Sequence, residues 1–515
     1  MKSHNELCAE LQGLVTGSNS SDLLSYLQDN MVSLFASPHI SQYYQLIRRV
    51  DVSSKCPPLP RLIVAWLAFL CGDNVAMNTA MRQDIESQLN SPEERSFYYS
   101  LIALSGLCAS PDDRLHYGKL AVEILPQQQQ TTLYMANARL TYGQIQAGFD
   151  RYREAAELFA DAYRMFHELG MLFPAAIALT NELLNRYRLG QFFNVIEKGN
   201  HALTMAASFH SARQDYWDII YLPLGMCHFE LNKPTLAIGN LNLAKQAIDQ
   251  MELFHMHGLI EYYLFKSHLA LGEYAHLHSI VSQAEGELGS MQGSDAELLV
   301  CVLRVLLGLN AGEDRDLKPD IERLEVAYMV HKSRPNWFLV EALACLRIRN
   351  FTDALAIDDL IQCLKKFRYS GMIPFVQLLL LFLSELNYQQ DKANEARSCL
   401  KEAAALVKEY GVCVHFFVYP LECLTLLKNI DAPLYKALVS KGRIKELVAQ
   451  QSLLSARERE ILELIALGKN NEELGALLFI SVGTVKWHIN HILSKLEVRN
   501  RIEAVNKGKS LGEIR

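Results

Sequence analysis

Apolar residues recur at helical spacing along nearly the whole chain, and small or turn-forming residues break the pattern at near-regular intervals. The breaks fall at Gly72, Ser110, Gly148, Gly190, Asn232, Gly272, Gly312, Asn350 and Gln390, with separations of 38, 38, 42, 42, 40, 40, 38 and 40 residues. Each interval holds two amphipathic helices. A residue tolerant of a left-handed backbone recurs because the first helix of each pair needs a stop before its tight turn. The local phrases rhyme: Gly148-Phe149, Gly190-Gln191-Phe192, Gly272-Glu273-Tyr274, Asn350-Phe351. Small residues downstream (Ala155, Ala237, Ala275, Ala354) let the paired helices approach closely. Self-similarity at this period predicts a solenoid of helix pairs over residues 61–430. No alternating β-branched segment with hairpin turns interrupts it, so the expected fold class is all-α.

Ahead of the repeats, residues 1–60 read as an N-terminal helical cap built from amphipathic pieces at 6–14, 21–35 and 40–50. Pro57-Pro58-Leu59-Pro60 then punctuates the chain and starts the next helix. Behind the repeats, 431–452 reads as a last helix plus linker, and 453–515 as a separate small domain. In that domain Ser455 is a helix cap, with Glu458 three residues on closing a capping box. The helix it opens turns Ile461, Leu462 and Ile465 inward and stops at Gly468. A second helix, about Asn471–Leu478, buries Leu474, Leu477 and Leu478, and Gly475 lets it cross the next helix closely. Ser481 caps a third helix from Val482, whose apolar stripe is Val485, Ile489, Ile492, Leu493 and Leu496. Its other face carries Lys486, Trp487, Asn490, His491 and Ser494. A fourth helix starts near Arg501 with Ile502 and Val505 inward. Two helices joined by a short turn, the second bearing a polar face, make a helix-turn-helix whose second helix is expected to enter a DNA groove.

Composition sharpens this division. At 515 residues the chain exceeds one ordinary core, and with half its residues hydrophobic and 21% charged it is packed rather than disordered. The net charge of -7 is uneven: residues 451–515 hold ten Lys/Arg against eight Asp/Glu, or +2, which leaves -9 for residues 1–450. A mildly basic tail on an acidic body suits a polyanion contact made by the small domain alone. The eleven cysteines are scattered singly with no C-x-x-C pair, which indicates neither a zinc ribbon nor a disulfide framework. Free thiols among apolar neighbours point to a reducing, cytoplasmic setting. No secretory signal pattern opens the chain, and the apolar runs at 62–71 and 376–383 are too short to span a bilayer, so no membrane association is expected.

Residues 454–511 resemble the LuxR-type (GerE-like) DNA-binding domain. Leu454, Ser455, Arg457, Glu458, Glu460, Ile461, Leu462, Gly468, Asn471, Glu473, Leu474, Leu478, Ile480, Ser481, Thr484, Val485, Lys486, His488, Ile489, Lys495, Leu496, Val498, Asn500, Arg501 and Ala504 all follow its pattern, and Gly475 stands where alanine is usual. The resemblance implies that Lys486, Trp487 and Asn490 sit where the family reads bases and that Thr484 and Lys495 lie near phosphates. It also implies dimerisation through the last helix, at Ile502 and Val505. On chemical grounds Lys486 supplies a salt-dependent phosphate or guanine contact, and Asn490 can make a two-bond contact with adenine. His491 shares their face. A lysine and an asparagine on an isolated helix are more often merely solvated; the complete motif tips the balance to DNA. Trp487 is poorly explained by solvation and also suits packing on the solenoid or a partner.

The helical array resembles tetratricopeptide repeats, with a period longer than that family's roughly 34 residues and without its full W-x2-LG…P pattern. The array plus reader is similar to the C-terminal part of the maltose-regulon-type activators, which carry an ATPase ahead of the solenoid. No G-x-x-x-x-G-K-[ST] loop occurs in this sequence: Gly508-Lys509-Ser510 is the only GKS, and Glu503 stands where that loop needs glycine. Control is therefore expected from a small-molecule or protein effector held in the solenoid, without a cofactor. The first helix of each pair lines the concave face of such arrays, and Tyr142, Asn181, Arg186, Tyr187, Tyr216, Trp217, Tyr221, Tyr262 and Tyr263 are the candidates there. The competing reading makes these residues inter-repeat core. Five histidines cluster in one repeat (His255, His257, His268, His276, His278), but i, i+2 pairs do not share a helix face, so no metal is expected. No nucleophile–base or paired-carboxylate arrangement stands out, so the chain is not expected to be an enzyme. The leading expectation is a homodimeric, sequence-specific regulator on double-stranded DNA, with RNA polymerase as a further partner. The alternative is a protein-interaction scaffold or anti-activator with a helix-turn-helix that does not bind DNA.

Overall fold

The computed structural model describes residues 2–16, 20–48, 56–81, 85–105, 107–108, 110–126, 130–208, 214–253, 256–289, 294–311, 317–332, 336–419, 421–440, 454–478, 480–496, 498–510 and 514. Among them the chain is all-α, with no strand. It divides into two compact units, Met1–Ile430 and Asp431–Arg515. Within the expected linker, Ala432–Ser440 is helical, and residues 441–452 lie outside the described set. No described helix is long and apolar enough to cross a membrane.

The larger unit is a tetratricopeptide-like solenoid, and its period is written in one repeated hydrogen bond. Gly72, Asp150, Gly190, Asn232, Gly272, Asn350 and Asp391 all adopt a left-handed backbone, with φ between 54° and 75°. After each, the next N–H returns to the carbonyl five residues back: Asp73 to Ala68, Arg151 to Gln146, Gln191 to Arg186, Lys233 to His228, Glu273 to His268, Phe351 to Leu346 and Lys392 to Asn387, at 2.8–3.0 Å. That is the Schellman closure of a helix C-terminus. Two expected breaks are displaced. Gly148 ends its helix with an ordinary backbone and the stop falls at Asp150; Gln390 is likewise passed over for Asp391. Ser110 is no stop: it is extended at φ -141° and caps Pro111–Glu123 through a capping box with Asp113. Gly312 lies outside the described residues. A second series, Gly170, Glu252 and Gly371, closes second helices with the same bond.

Successive turns of this superhelix touch. Lys366 pairs with Asp150 at 3.7 Å, the Tyr152 hydroxyl meets the Met372 sulfur at 3.8 Å, and the Cys413 N–H donates to the Glu230 carbonyl at 3.0 Å. A Cβ on Gly190 would lie 2.6 Å from the Tyr410 ring, so only glycine fits there. Nearer the N-terminus Ser41 bonds to Glu252 in the same way. One superhelical turn thus takes about five repeats. The N-terminal helices belong to this body, with Phe35 stacked on Trp66 at 3.7 Å between ring centroids.

The first helices of the pairs carry a run of buried glutamates that hydrophobic patterning does not anticipate. Glu182, Glu230, Glu261, Glu341 and Glu385 are all almost wholly buried. Such groups stay inside only when partnered. Glu182 takes Arg186 at 2.7 Å and Lys198 at 2.6 Å, Glu261 takes Lys245 at 2.5 Å, and Glu341 takes Lys266 at 2.5 Å. Glu230 accepts from the Tyr187 hydroxyl at 2.6 Å, with His415 Nε2 3.2 Å from its other oxygen.

Glu385 differs, because among the described residues no cation answers it; it accepts from the Cys423 N–H at 2.9 Å and from Gln389 at 3.3 Å. Burial pushes its carboxyl up to about 7. A folded-state value above the unfolded one, roughly 4.3, gives a stabilising contribution that is complete below the unfolded value and is lost as pH rises through 7. Glu385→Gln keeps an acceptor for Cys423 and removes that loss. The variant is expected to gain roughly 2–3 kcal/mol over the natural protein at pH 8 and little at pH 4. Urea midpoints at the two pH values check this, and an equal gain at both would refute it.

Candidate nucleic-acid interface

The C-terminal unit holds four helices, Ala456–Ala466, Asn471–Leu478, Val482–Lys495 and Arg501–Ser510. Each begins at a side-chain cap, which explains why so short a sequence makes four distinct helices. Ser455 and Glu458 form a reciprocal capping box, and the Ser481 hydroxyl accepts from the Thr484 N–H at 3.1 Å. Two further caps escaped the sequence reading. Asn470 accepts from the Glu473 N–H at 2.9 Å, and Asn500 from the Glu503 N–H at 2.9 Å, with each glutamate answering a backbone N–H in return. The signal was there, as Asn followed three residues later by Glu.

Leu454, Ile461, Leu462, Leu474, Leu478, Val485, Ile492, Leu496 and Ala504 make one core, with Ile489, Leu493 and Val505 packed at its edge. Two arginines lock it. Arg457 donates to the Leu478 carbonyl at 2.7 Å, and Arg501 to the Lys469 carbonyl at 2.7 Å. Each satisfies a carbonyl at or just beyond the end of a neighbouring helix, so these matched positions are structural. A Cβ on Gly475 would sit 2.9 Å from the Ile480 carbonyl oxygen, so the close approach is to the backbone of the turn itself. Gly508 packs against Leu462 in the last helix, where an added Cβ would lie 2.7 Å away, which removes it from any phosphate loop. Two expectations fail. Leu477 is 51% exposed and Ile502 71% exposed, because the core lies on the Leu474/Leu478 and Ala504/Gly508 faces of their helices.

The solvent face of Val482–Lys495 is the candidate interface. Thr484, Lys486, Trp487, Asn490 and Ser494 are exposed, and His491 is half-buried. Among the described residues, neither Lys486 nor Asn490 has a hydrogen-bond or ion-pair partner, so both are free to meet a groove. Thr484 is tied to its cap, its hydroxyl 2.8 Å from that of Ser481. Lys495 is exposed, and its ammonium lies 2.7 Å from Glu458, the capping-box carboxylate; burial opposes that carboxylate's charge, but the ammonium and the Ser455 N–H outweigh burial and hold it below its usual range. The pair braces the first helix against the third.

Trp487 is 47% exposed and does not stand alone. Its ring lies over His491 one turn on, with centroids 4.2 Å apart and planes at 30°, and meets His488 edge-on at 4.9 Å. Burial holds the His488 imidazolium down, favouring the neutral ring. The Trp487 and His491 rings, one turn apart, form a largely apolar ledge beside the stripe of Lys486 and Asn490.

The solenoid candidates do not converge on an open groove. Tyr187, Trp217, Tyr262 and Tyr263 are buried, packed against side chains of neighbouring repeats. Tyr187 bonds to Tyr263 at 2.6 Å, and Tyr262 bonds to Glu341 while its ring lies 4.7 Å from that of Trp337. Arg186 serves Glu182 and Gln191, and Asn181 back-bonds to the Ile177 carbonyl at 2.9 Å. Tyr216 rests edge-on against Phe173, and Tyr142 and Tyr221 are half-buried. Inter-repeat core is the better description of the buried four.

Residues 452–507 match the family described as "Bacterial regulatory proteins, luxR family". The chain is 43% identical over 77 residues to the transcriptional regulatory protein DesR of Bacillus subtilis, a match that covers 15% of this chain and 39% of DesR. It is 41% identical over 95 residues to the transcriptional activator protein SolR of Ralstonia nicotianae, covering 18% of this chain and 40% of SolR. The chain thus spans about two fifths of the length of these relatives. In fold, it is similar to a Rap protein crystallised in complex with competence and sporulation factor, at a TM-score of 0.50 and 12% identity, over 69% of this chain and 98% of that one.

Proposed function

We propose that this chain, whose C-terminal domain is a LuxR-type helix-turn-helix homologous to DNA-binding transcription regulators, is a sequence-specific regulator under the control of its solenoid. It reads double-stranded DNA as a homodimer, and a small-molecule or protein effector acts through the repeats. The observation that carries the DNA reading is the pair of polar side chains, Lys486 and Asn490, unpartnered among the described residues, on a capped helix fixed by a complete core. The Trp487–His491 ledge beside them suits thymine methyl groups, which present apolar surface in the major groove. Support for an effector in the solenoid is of fold alone, from the Rap protein solved in a complex. Contact with RNA polymerase belongs to the same reading.

Gel shift of the full protein on genomic fragments across a salt series tests it. Affinity should fall steeply as salt rises, as counterion release requires. Salt-insensitive retention of DNA, or none at all, would favour the scaffold reading instead. A thermal-shift screen against metabolites tests the sensor, a supporting hit being one that also alters DNA affinity.

Ile502 carries the dimer proposal. It is exposed on the last helix and lies outside the domain's core, so Ile502→Glu should leave the fold intact. The variant is expected to be monomeric in analytical ultracentrifugation and to bind a two-half-site DNA roughly 100-fold more weakly, as linked binding is lost. An unchanged oligomer would remove Ile502 from the interface.

A further inference from the structure

We infer that His268, Glu273 and His276 form a binding site for a zinc-type divalent ion at the turn of one solenoid hairpin. His268 lies in the last turn of the helix His257–Leu271, where Gly272, at φ 75°, reverses the chain. Glu273 occupies the turn, and His276 stands in the first turn of Tyr274–Gly289. The reversal brings together residues that no single helix face would. His268 Nδ1 is 2.7 Å from Glu273 Oε2, and His276 Nδ1 is 4.0 Å from the same oxygen. The imidazoles lie parallel, with centroids 4.8 Å apart and planes at 12°, and one ligand atom from each of the three residues lies within 4.8 Å of the others.

Tetrahedral zinc with bonds of about 2.0–2.2 Å separates its ligand atoms by roughly 3.4 Å. The present spacings bracket that value. His268 is the fixed ligand, its side chain only 13% exposed, while Glu273 at 43% and His276 at 64% have room to adjust. Two imidazoles and one carboxylate select borderline ions such as Zn²⁺, Ni²⁺ and Cu²⁺ over the oxygen-seeking Mg²⁺ and Ca²⁺. Three protein ligands leave a fourth position for water or an exogenous donor. The two histidines stand on different helices with Glu273 in the turn between them, so spacing along a single helix does not bring the three together. His278, two residues beyond His276, points to a different side of its helix. His255 lies outside the described residues.

Bound metal would tie the two helices of this repeat across their turn. The test uses the full-length chain without a histidine tag, stripped by a chelator and titrated with zinc against a chromophoric competitor. One tightly held ion per chain is expected, unaffected by excess magnesium. His276→Gln and Glu273→Gln, both at exposed side chains that the fold does not need, should each weaken binding roughly tenfold or more, and His278→Gln should not. Zinc should raise the melting temperature of the natural protein and not that of His276→Gln. Equal affinity in the natural protein and His276→Gln, or loss in His278→Gln alone, would overturn the assignment. The DNA reading stands apart from every one of these outcomes.

Discussion

The Lys486→Ala/Asn490→Ala protein is expected to lose roughly a thousandfold in affinity for its preferred DNA, or about 4 kcal/mol, while remaining folded. Neither side chain has a partner among the described residues, so no described contact of the fold is withdrawn with them. The core beneath, Val485, Ile492 and Leu496, and the Ser481 cap stay in place. The two losses differ in kind. Removing Asn490 deletes a two-bond base contact, so it should cost about 1–3 kcal/mol at one base pair and little on unrelated DNA. Removing Lys486 deletes a charge, and if that charge meets phosphate it should lower the salt dependence by about one unit and weaken all sequences alike. Fluorescence anisotropy on specific and scrambled duplexes at several salt concentrations separates them. Retention of specific binding by the double variant would end the case for Val482–Lys495 as the reading helix.

Lys266→Met is expected to have the largest effect on stability. Lys266 is wholly buried with its ammonium 2.5 Å from Glu341, and the Tyr419 and Tyr262 hydroxyls complete the cluster. Burial pushes the Glu341 carboxyl up, but the Lys266 charge and the hydroxyls outweigh it and hold the carboxyl below its usual range. A depressed folded-state value contributes stability above the unfolded value, about 4.3, and loses it as pH falls. With the ammonium gone, Glu341 is a buried charge without a counterion, and a cost of about 3–5 kcal/mol follows. Burial then raises its carboxyl, so the deficit should be greatest near pH 8 and shrink toward pH 5. Adding Glu341→Gln should recover part of the loss, since an amide has no charge to strand. Denaturation midpoints of the single and double variants at both pH values decide this. A pH-independent deficit would mean that packing, not charge, dominates.

The two predictions fall on opposite sides of what was legible beforehand. Ser455 with Glu458, and Ser481 with Thr484, lie three residues apart, so each cap is complete within a short window of sequence. The stripe of Val485, Ile492 and Leu496 is likewise fixed by helical geometry, and Lys486 and Asn490 face outward once it faces in. The expectation that Ile502 turns inward failed because Ala504 and Gly508 offered a second, less apolar face that lets the last helix pack more closely on Leu462. The brace between Lys495 and Glu458, 37 residues apart, lies beyond any local window of sequence.

By itself, then, the sequence determined the helices, their caps, the near-forty-residue period and the helix-turn-helix, because each depends on hydrogen bonds and packing between residues close in the chain. The tertiary structure alone decided what lies inside the superhelix. Tyr187 meets Glu230 and Tyr263 across 43 and 76 residues, and Lys266 meets Tyr419 across 153. Whether such an aromatic lines a groove or fills a core depends on the curvature that brings repeats one to four places apart onto one another, and that curvature goes with the pitch. Pitch accumulates from small rotations at every hairpin, and no local run of residues specifies it.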